Sequence, residues 1–219
     1  MSANELIQRR AAMMQSRSGG FDWEQQFADF IGGVYRDIVI PNGVTSIRNY
    51  AFHTSRCRTI TMPASVAHVG VYALANIGSV SEKLDGIVWE NPNVELTQNN
   101  GYVFTATYFS SPNLDDYLPS GCTQIGAGWF ANFYNTFAII PARITSINAA
   151  NFQYPISSFA GIQFLSTTPP TLLYSTSLGS TSSTWPIYVP DEAVNAYKTA
   201  SANWQGYASR IKGISEKPT

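Results

Sequence analysis

IVIPNGVTSIRNYAF, from Ile38 to Phe52, is matched without a gap by ITMPASVAHVGVYAL, from Ile60 to Leu74. Pro41 falls on Pro63, Val44 on Val66, Ile47 on Val69, Tyr50 on Tyr72 and Ala51 on Ala73, every offset being 22. A second pair follows, LPSGCTQIGAGWF (Leu118 to Phe130) over IPARITSINAANF (Ile140 to Phe152), again at an offset of 22. Here Pro119 meets Pro141, Cys122 meets Ile144, Ile125 meets Ile147 and Phe130 meets Phe152. Pro41 and Pro119 are 78 residues apart, so a longer, irregular repeat intervenes. Self-similarity at a fixed period marks a stacked-repeat protein.

The repeat has a physical reading. In Ile38-Val39-Ile40 and Ile60-Thr61-Met62, alternate side chains share a face, as a half-buried strand requires. The proline that follows ends the strand, because its φ is fixed and it has no N–H to donate. Val44 and Ile47, with their equivalents, then return apolar groups inward. Phe52, Leu74, Phe130 and Phe152 fill the far side. One repeat cannot bury these groups alone, whereas stacked neighbours make a continuous core. The expected architecture is a mainly-β α/β solenoid with parallel strands stacked along one side, short N-terminal helices and a C-terminal capping helix.

The string IPxxVTSIxxxAF resembles the BspA-type leucine-rich repeat, found in bacterial surface proteins and in phage and prophage proteins of gut bacteria. GIVWENPNVELTQNNGYVF, from Gly86 to Phe104, is similar to that family's longer variant, in which a strand leads to an Asn-Pro turn and a small hairpin, here near Asn99-Asn100-Gly101. FLSTTPPTLL from Phe164 and IYVPDEAVNAYKTASANWQGYASRIKGI from Ile187 resemble its terminal module, a last strand followed by a short helix with Trp204 and Tyr207 over the open end. The resemblance spans about residues 34 to 215 and implies a leucine-rich-repeat solenoid that displays a surface.

Four divisions follow: a helical leader, 1–20; an N-terminal cap, 21–36; the solenoid, 37–186; and a C-terminal cap, 187–219. In the N-terminal cap, Asp22 and Gln25 form a capping-box pattern ahead of an apolar stripe of Trp23, Phe27, Phe30 and Ile31. In the C-terminal cap, Asp191 is expected to cap a helix that turns Val194, Tyr197 and Trp204 inward. The leader has no repeat to serve. Leu6, Ile7, Met13 and Met14 lie near one side of a helix with Arg9 and Arg10 beside them. That pattern suits a frayed tail or a helix that docks or oligomerises, and a membrane-surface role only weakly, since the arginines are few.

Charged residues are only 12% of the 219, and 13 basic against 14 acidic residues leave a net charge of -1. A nucleic-acid protein would need a basic stripe to release counterions, so that class is excluded. No run of about 18 apolar residues offers a membrane span. Met1 to Gly20 lacks the apolar core of a secretory signal, so the expected location is a virion, with the bacterial cell surface as the alternative.

No enzyme is expected. His53 and His68 flank core positions and are expected to face solvent on separate repeats. Cys57 and Cys122 fall in core slots without metal or redox spacing. Asp115 and Asp116 are adjacent, so they point apart in a solvated loop, and no calcium or phosphate-loop motif occurs. No cofactor is expected. Aromatic residues, at 13%, exceed what the core slots consume. Tyr108, Phe109, Phe133, Tyr134 and Tyr154 fall in turns or insertions and are the candidate recognition residues for a host-surface protein or glycan. The expected function is a virion-associated structural or host-recognition protein, tied to a virion component through its leader and able to self-associate there. A cell-surface adhesin is the alternative.

Overall fold

The computed structural model of the protein describes residues 36–98, 101–180 and 182–218. The expected leader and N-terminal cap therefore lie outside the described residues, apart from Arg36.

Each repeat begins on a strand of one parallel series. β1 (Arg36–Val39) pairs with β3 (Cys57–Met62), which pairs with β5 (Gly86–Trp89). Further along, β8 (Phe137–Ile140), β10 (Gly161–Phe164), β12 (Ile187–Val189) and β13 (Ile211–Gly213) form a four-stranded parallel sheet in that order. Between β5 and β8 the strand gives way to a 3-10 turn, Leu114–Asp116, held by a single bridge from Asn113 to Ile139. The inward positions of these strands, among them Ile38, Ile60, Met62, Ala138, Ile162 and Ile187, are buried.

The prolines then turn the chain. The carbonyls of Pro41, Pro63, Pro119 and Pro141 each accept from the backbone N–H three residues on, at 2.9 to 3.3 Å. Those donors are Val44, Val66, Cys122 and Ile144, so each turn returns the same position toward the core, where Val44, Val66 and Ile144 are buried and Cys122 is half-buried. A second parallel series follows: β2 (Ser46–Ile47), β4 (His68–Val69) and β6 (Glu95–Leu96), then β7 (Gln124–Ile125), β9 (Ser146–Ile147) and β11 (Thr171–Leu172). In every one the second residue is buried and the first is not.

The third side has no strand, yet it is a backbone ladder too. Tyr50 N–H donates to Val71, Tyr72 to Gly101, Tyr102 to Ala127, Gly128 to Ala149 and Ala150 to Thr176. Two residues on, Phe52 donates to Ala73 and Leu74 to Val103. Position for position, Phe52, Leu74, Phe104, Phe130 and Phe152 are the inner rungs, and all are buried. Phe104 stacks on Phe130 with centroids 5.5 Å apart, and Phe130 on Phe152 at 5.9 Å. One continuous core runs from Ile38 to Ile211.

Several expectations need correcting. The offset of 22 holds within the two pairs and a longer step lies between them as expected, Ile60 pairing with Ile87, but the step from Ile147 to Leu172 is longer as well. Extra residues at those steps are taken up in turns, which the parallel register tolerates. Asn99 and Asn100 lie outside the described residues, but every strand pairing among the described residues is parallel, so β6 continues the second series rather than forming a hairpin arm. β12 is not the last strand. The chain passes through α1 (Val194–Thr199) and α2 (Ala202–Gln205) and then adds β13 beyond it. Asp191 does not cap α1; its carboxylate accepts from Ser215 N–H at 3.1 Å and Ser215 Oγ at 2.9 Å, tying the helices to the chain after β13. Tyr197 and Trp204 are buried as expected, with Trp204 edge-on to Phe164 and its Nε1 donating to Pro170 at 2.8 Å.

Phe130 touches ring neighbours on both adjacent repeats. Phe130→Ala is expected to cost about 3–5 kcal/mol in denaturant unfolding, as truncation of a buried phenylalanine does. Tyr154→Ala is expected to stay within about 0.5 kcal/mol. Equal effects at the two sites would contradict this packing.

Candidate functional site

The left-handed backbone region recurs at fixed places on the third side. Tyr50, Tyr72 and Tyr102 have φ of 63°, 54° and 42°, and the next two rungs, Gly128 and Ala150, have 68° and 62°. Four residues after the first three, Thr54, Asn76 and Ala106 repeat it. For a residue with a Cβ this conformation costs roughly 1 kcal/mol or more, and glycine adopts it freely. The repeat backbone thus demands the conformation, but nothing in the backbone demands tyrosine.

The three tyrosines form a staircase. Tyr50 and Tyr72 lie parallel within 6°, centroids 5.2 Å apart, and Tyr72 and Tyr102 do the same at 5.3 Å. Parallel rings in contact are only about 3.5–4 Å apart face to face, so these centroid distances mean that the rings are offset. Each step therefore leaves part of a ring face uncovered. Tyr50 is 51% exposed, and Tyr72 and Tyr102 are half-buried. The staircase ends on Gly128, where an added Cβ would meet the Tyr102 ring at 2.3 Å. His53 stands edge-on to Tyr50 at 5.6 Å and to Tyr72 at 6.4 Å. Its Nε2 lies 2.7 Å from Asn76 Nδ2, so the imidazole and the amide are hydrogen-bonded to each other. Burial, reinforced by the neighbouring phenols, pushes the Tyr72 hydroxyl up from its ordinary pKa and keeps it protonated.

The five expected recognition aromatics divide. Phe109 and Phe133 are core residues, fully buried and 1% exposed. Phe109 packs on Tyr117, Phe130 and Phe133, and Phe133 on Phe152 and Phe159; Phe133 stands three residues after the inner rung Phe130, the slot that Ser55, Ile77 and Thr107 also fill as buried residues. Tyr108 and Tyr134 are half-buried neighbours on adjacent repeats, centroids 4.5 Å apart. Tyr154 is 66% exposed. Leu6, Ile7, Arg9, Arg10, Met13 and Met14 lie outside the described residues. Two of the staircase's three rings, Tyr50 and Tyr72, share the offset of 22 in the sequence, whereas Tyr102 is displaced from it by the longer repeat.

The expected chemistry-poor groups have other partners. His53 is not simply solvent-facing but built into the staircase, and His68 Nδ1 lies 3.8 Å from Glu95 in the second series. Cys57 is buried, with Sγ 3.1 Å from Ser55 Oγ. Cys122 is only half-buried, contrary to its core slot, and borders an open cleft of about 270 Å³ with Glu95, Gln124 and Trp129. Burial raises its thiol pKa, and its Sγ bonds the Gln124 carbonyl at 3.2 Å. His68 sits on the far side of Glu95, so it is not placed to take that thiol's proton. Asp115 is ion-paired with Arg143 rather than free in a loop. Among the described residues no group of three His, Cys, Asp or Glu side chains is placed to hold a metal ion. None of their helices is long and apolar enough to cross a membrane.

The profile of the BspA type leucine rich repeat region matches residues 30–159, in six copies. No curated protein matches the chain.

Gly128→Ala is expected to lower stability by more than about 1 kcal/mol, since φ is positive and the Tyr102 ring must move. The same variant should alter the ring-current shifts of Tyr102 in an NMR spectrum. Unchanged stability and shifts would contradict the seating of Tyr102 on Gly128.

Proposed function

Because the chain belongs to the BspA-type leucine-rich-repeat family, we propose that it is a surface-displayed recognition protein. In this reading the repeats form a rigid solenoid, and the tyrosine staircase is its ligand-contacting strip. Repeats of this family typically serve as binding scaffolds without catalysis. The observation that carries the reading is the staircase itself. Three consecutive repeats hold tyrosine in a backbone conformation that disfavours it, and the rings remain partly open to solvent. Aromatic side chains locked by packing also lose little freedom on binding, so more of each contact remains as affinity.

The finer setting we propose is a phage or prophage virion, with residues 1–20 as the segment that joins the module to a virion protein. Leu6, Ile7, Met13 and Met14 would supply its apolar contacts and Arg9 and Arg10 its polar rim. The second setting is a bacterial cell surface, which the family's frequent surface association supports.

Two measurements test this. Mass spectrometry of purified virions should find the chain, and its recovery in a bacterial envelope fraction instead would move the proposal to the second setting. Labelled protein should sediment with cells of the target bacterium. Tyr72→Gly should weaken that binding by about tenfold, the order expected for one lost aromatic contact. Glycine suits the positive φ, as Gly128 does two repeats on, so the thermal unfolding midpoint should change little. Undiminished cell binding by Tyr72→Gly and Tyr102→Gly together would remove the staircase from recognition.

A further inference from the structure

Resting on the reading of the staircase as the recognition strip, we propose that its ligand is an uncharged glycan chain lying along the stack of repeats. The strip is one ring wide and advances in steps of 5.2 and 5.3 Å over three repeats. A stable protein partner needs on the order of 800 Å² from each side, far more than a single row of three rings presents. A narrow, elongated ligand fits better. The rings are offset, so each offers part of a flat, electron-rich face, and the C–H-bearing face of a sugar ring is the complement of such a surface.

The polar groups that the rings carry, with the imidazole in ring contact with them and its amide partner, choose among glycans. Three phenol hydroxyls, the His53 imidazole and the Asn76 amide are donors and acceptors of the kind that pair with hydroxyl groups. None is an ammonium, guanidinium or carboxylate. The imidazole and the Asn76 amide are hydrogen-bonded to each other at 2.7 Å, and burial holds the Tyr72 hydroxyl protonated. No group of this set carries a permanent positive charge to balance the negative charge of a uronate, sialate or sulfate. The contacts are therefore directed at neutral sugars, and at an oligomer long enough to meet several steps.

Backbone geometry supports a prebuilt site. Each tyrosine's backbone N–H is bonded to the next repeat, Tyr72 to Gly101 at 2.9 Å and Tyr50 to Val71 at 3.0 Å. The rings stack on one another, and Tyr102 lies over Gly128. Little ordering is left for the ligand to impose, which suits a partner that makes many weak contacts.

The test is an array of immobilised neutral oligosaccharides (gluco-, manno-, galacto- and N-acetylglucosamine oligomers) and acidic ones (sialylated, uronate and sulfated), probed with the full chain. Retention on at least one neutral oligomer is expected, weaker on its monosaccharide, and about tenfold lower for Tyr72→Gly and for Tyr102→Gly. Val88→Ala, at an exposed position of β5, should bind like the unaltered chain. An array with no neutral ligand, retention on acidic members alone, or neutral binding untouched by Tyr72→Gly overturns the inference. If the staircase variants abolish sedimentation with cells while the array stays blank, the recognition strip stands and its glycan ligand falls. If neither measurement responds to them, both fall.

Discussion

Everything in this protein depends on one constraint: each repeat satisfies its backbone by hydrogen bonding in register to the repeat before and after it. A backbone polar group buried without a partner is too costly to leave, so the register is held at three places around the repeat. Two are short parallel strand series, and the third is the ladder through Tyr50, Tyr72, Tyr102, Gly128 and Ala150. Once register is fixed, like must lie over like. Phenylalanine stacks on phenylalanine inside, tyrosine on tyrosine outside, and Ile or Val on Ile or Val beneath the strands. Where one rung breaks, a side chain replaces it: buried Asn151 accepts from Phe130 N–H at 3.1 Å and donates to the Gly126 carbonyl at 3.0 Å.

The inner and outer ladders belong to the same few residues. From Tyr50 to Phe52, or Tyr102 to Phe104, two positions carry the chain from an open ring to a buried one. The outer ring can therefore vary while the backbone bonds and the inner rung stay in place. That separation lets a repeat protein keep a rigid frame and change what it presents.

The periodic part of this arrangement was legible in the sequence because it depends on residue type. Ile-x-Ile-Pro announced the strands and the prolines their ends, and Phe52, Leu74, Phe130 and Phe152 announced the inner rungs. What was not legible depends on repeat length. The steps through Ile87 and Leu172 are longer; Phe109 folds inward within a longer repeat, and Phe133 fills the slot three residues after the inner rung that Ser55, Ile77 and Thr107 fill, buried, in other repeats. Cys122 shows the converse, a core slot left half open beside a cleft. Tyr102 was invisible as a partner of Tyr50 and Tyr72 until the hydrogen bonds of the third repeat aligned it with them. The leader's apolar and arginine residues and the N-terminal cap fall outside the described residues, so their reading stays with the sequence.

The end of the staircase shows how closely the two faces are fitted. Gly126-Ala127-Gly128-Trp129 places two bare positions in the fourth ladder repeat. A Cβ on Gly126 would meet the Trp129 indole at 2.3 Å, and one on Gly128 would meet the Tyr102 ring at the same distance. Trp129 is buried and its Nε1 donates to the Thr97 carbonyl at 2.8 Å, reaching back across the repeat boundary. Two large rings, one from the core and one from the surface, thus lie against a segment with its side chains removed to receive them. A fourth tyrosine at position 128 would continue the stack but leave Tyr102 no seat. The strip is three rungs long because its last ring needs a floor, and glycine supplies it.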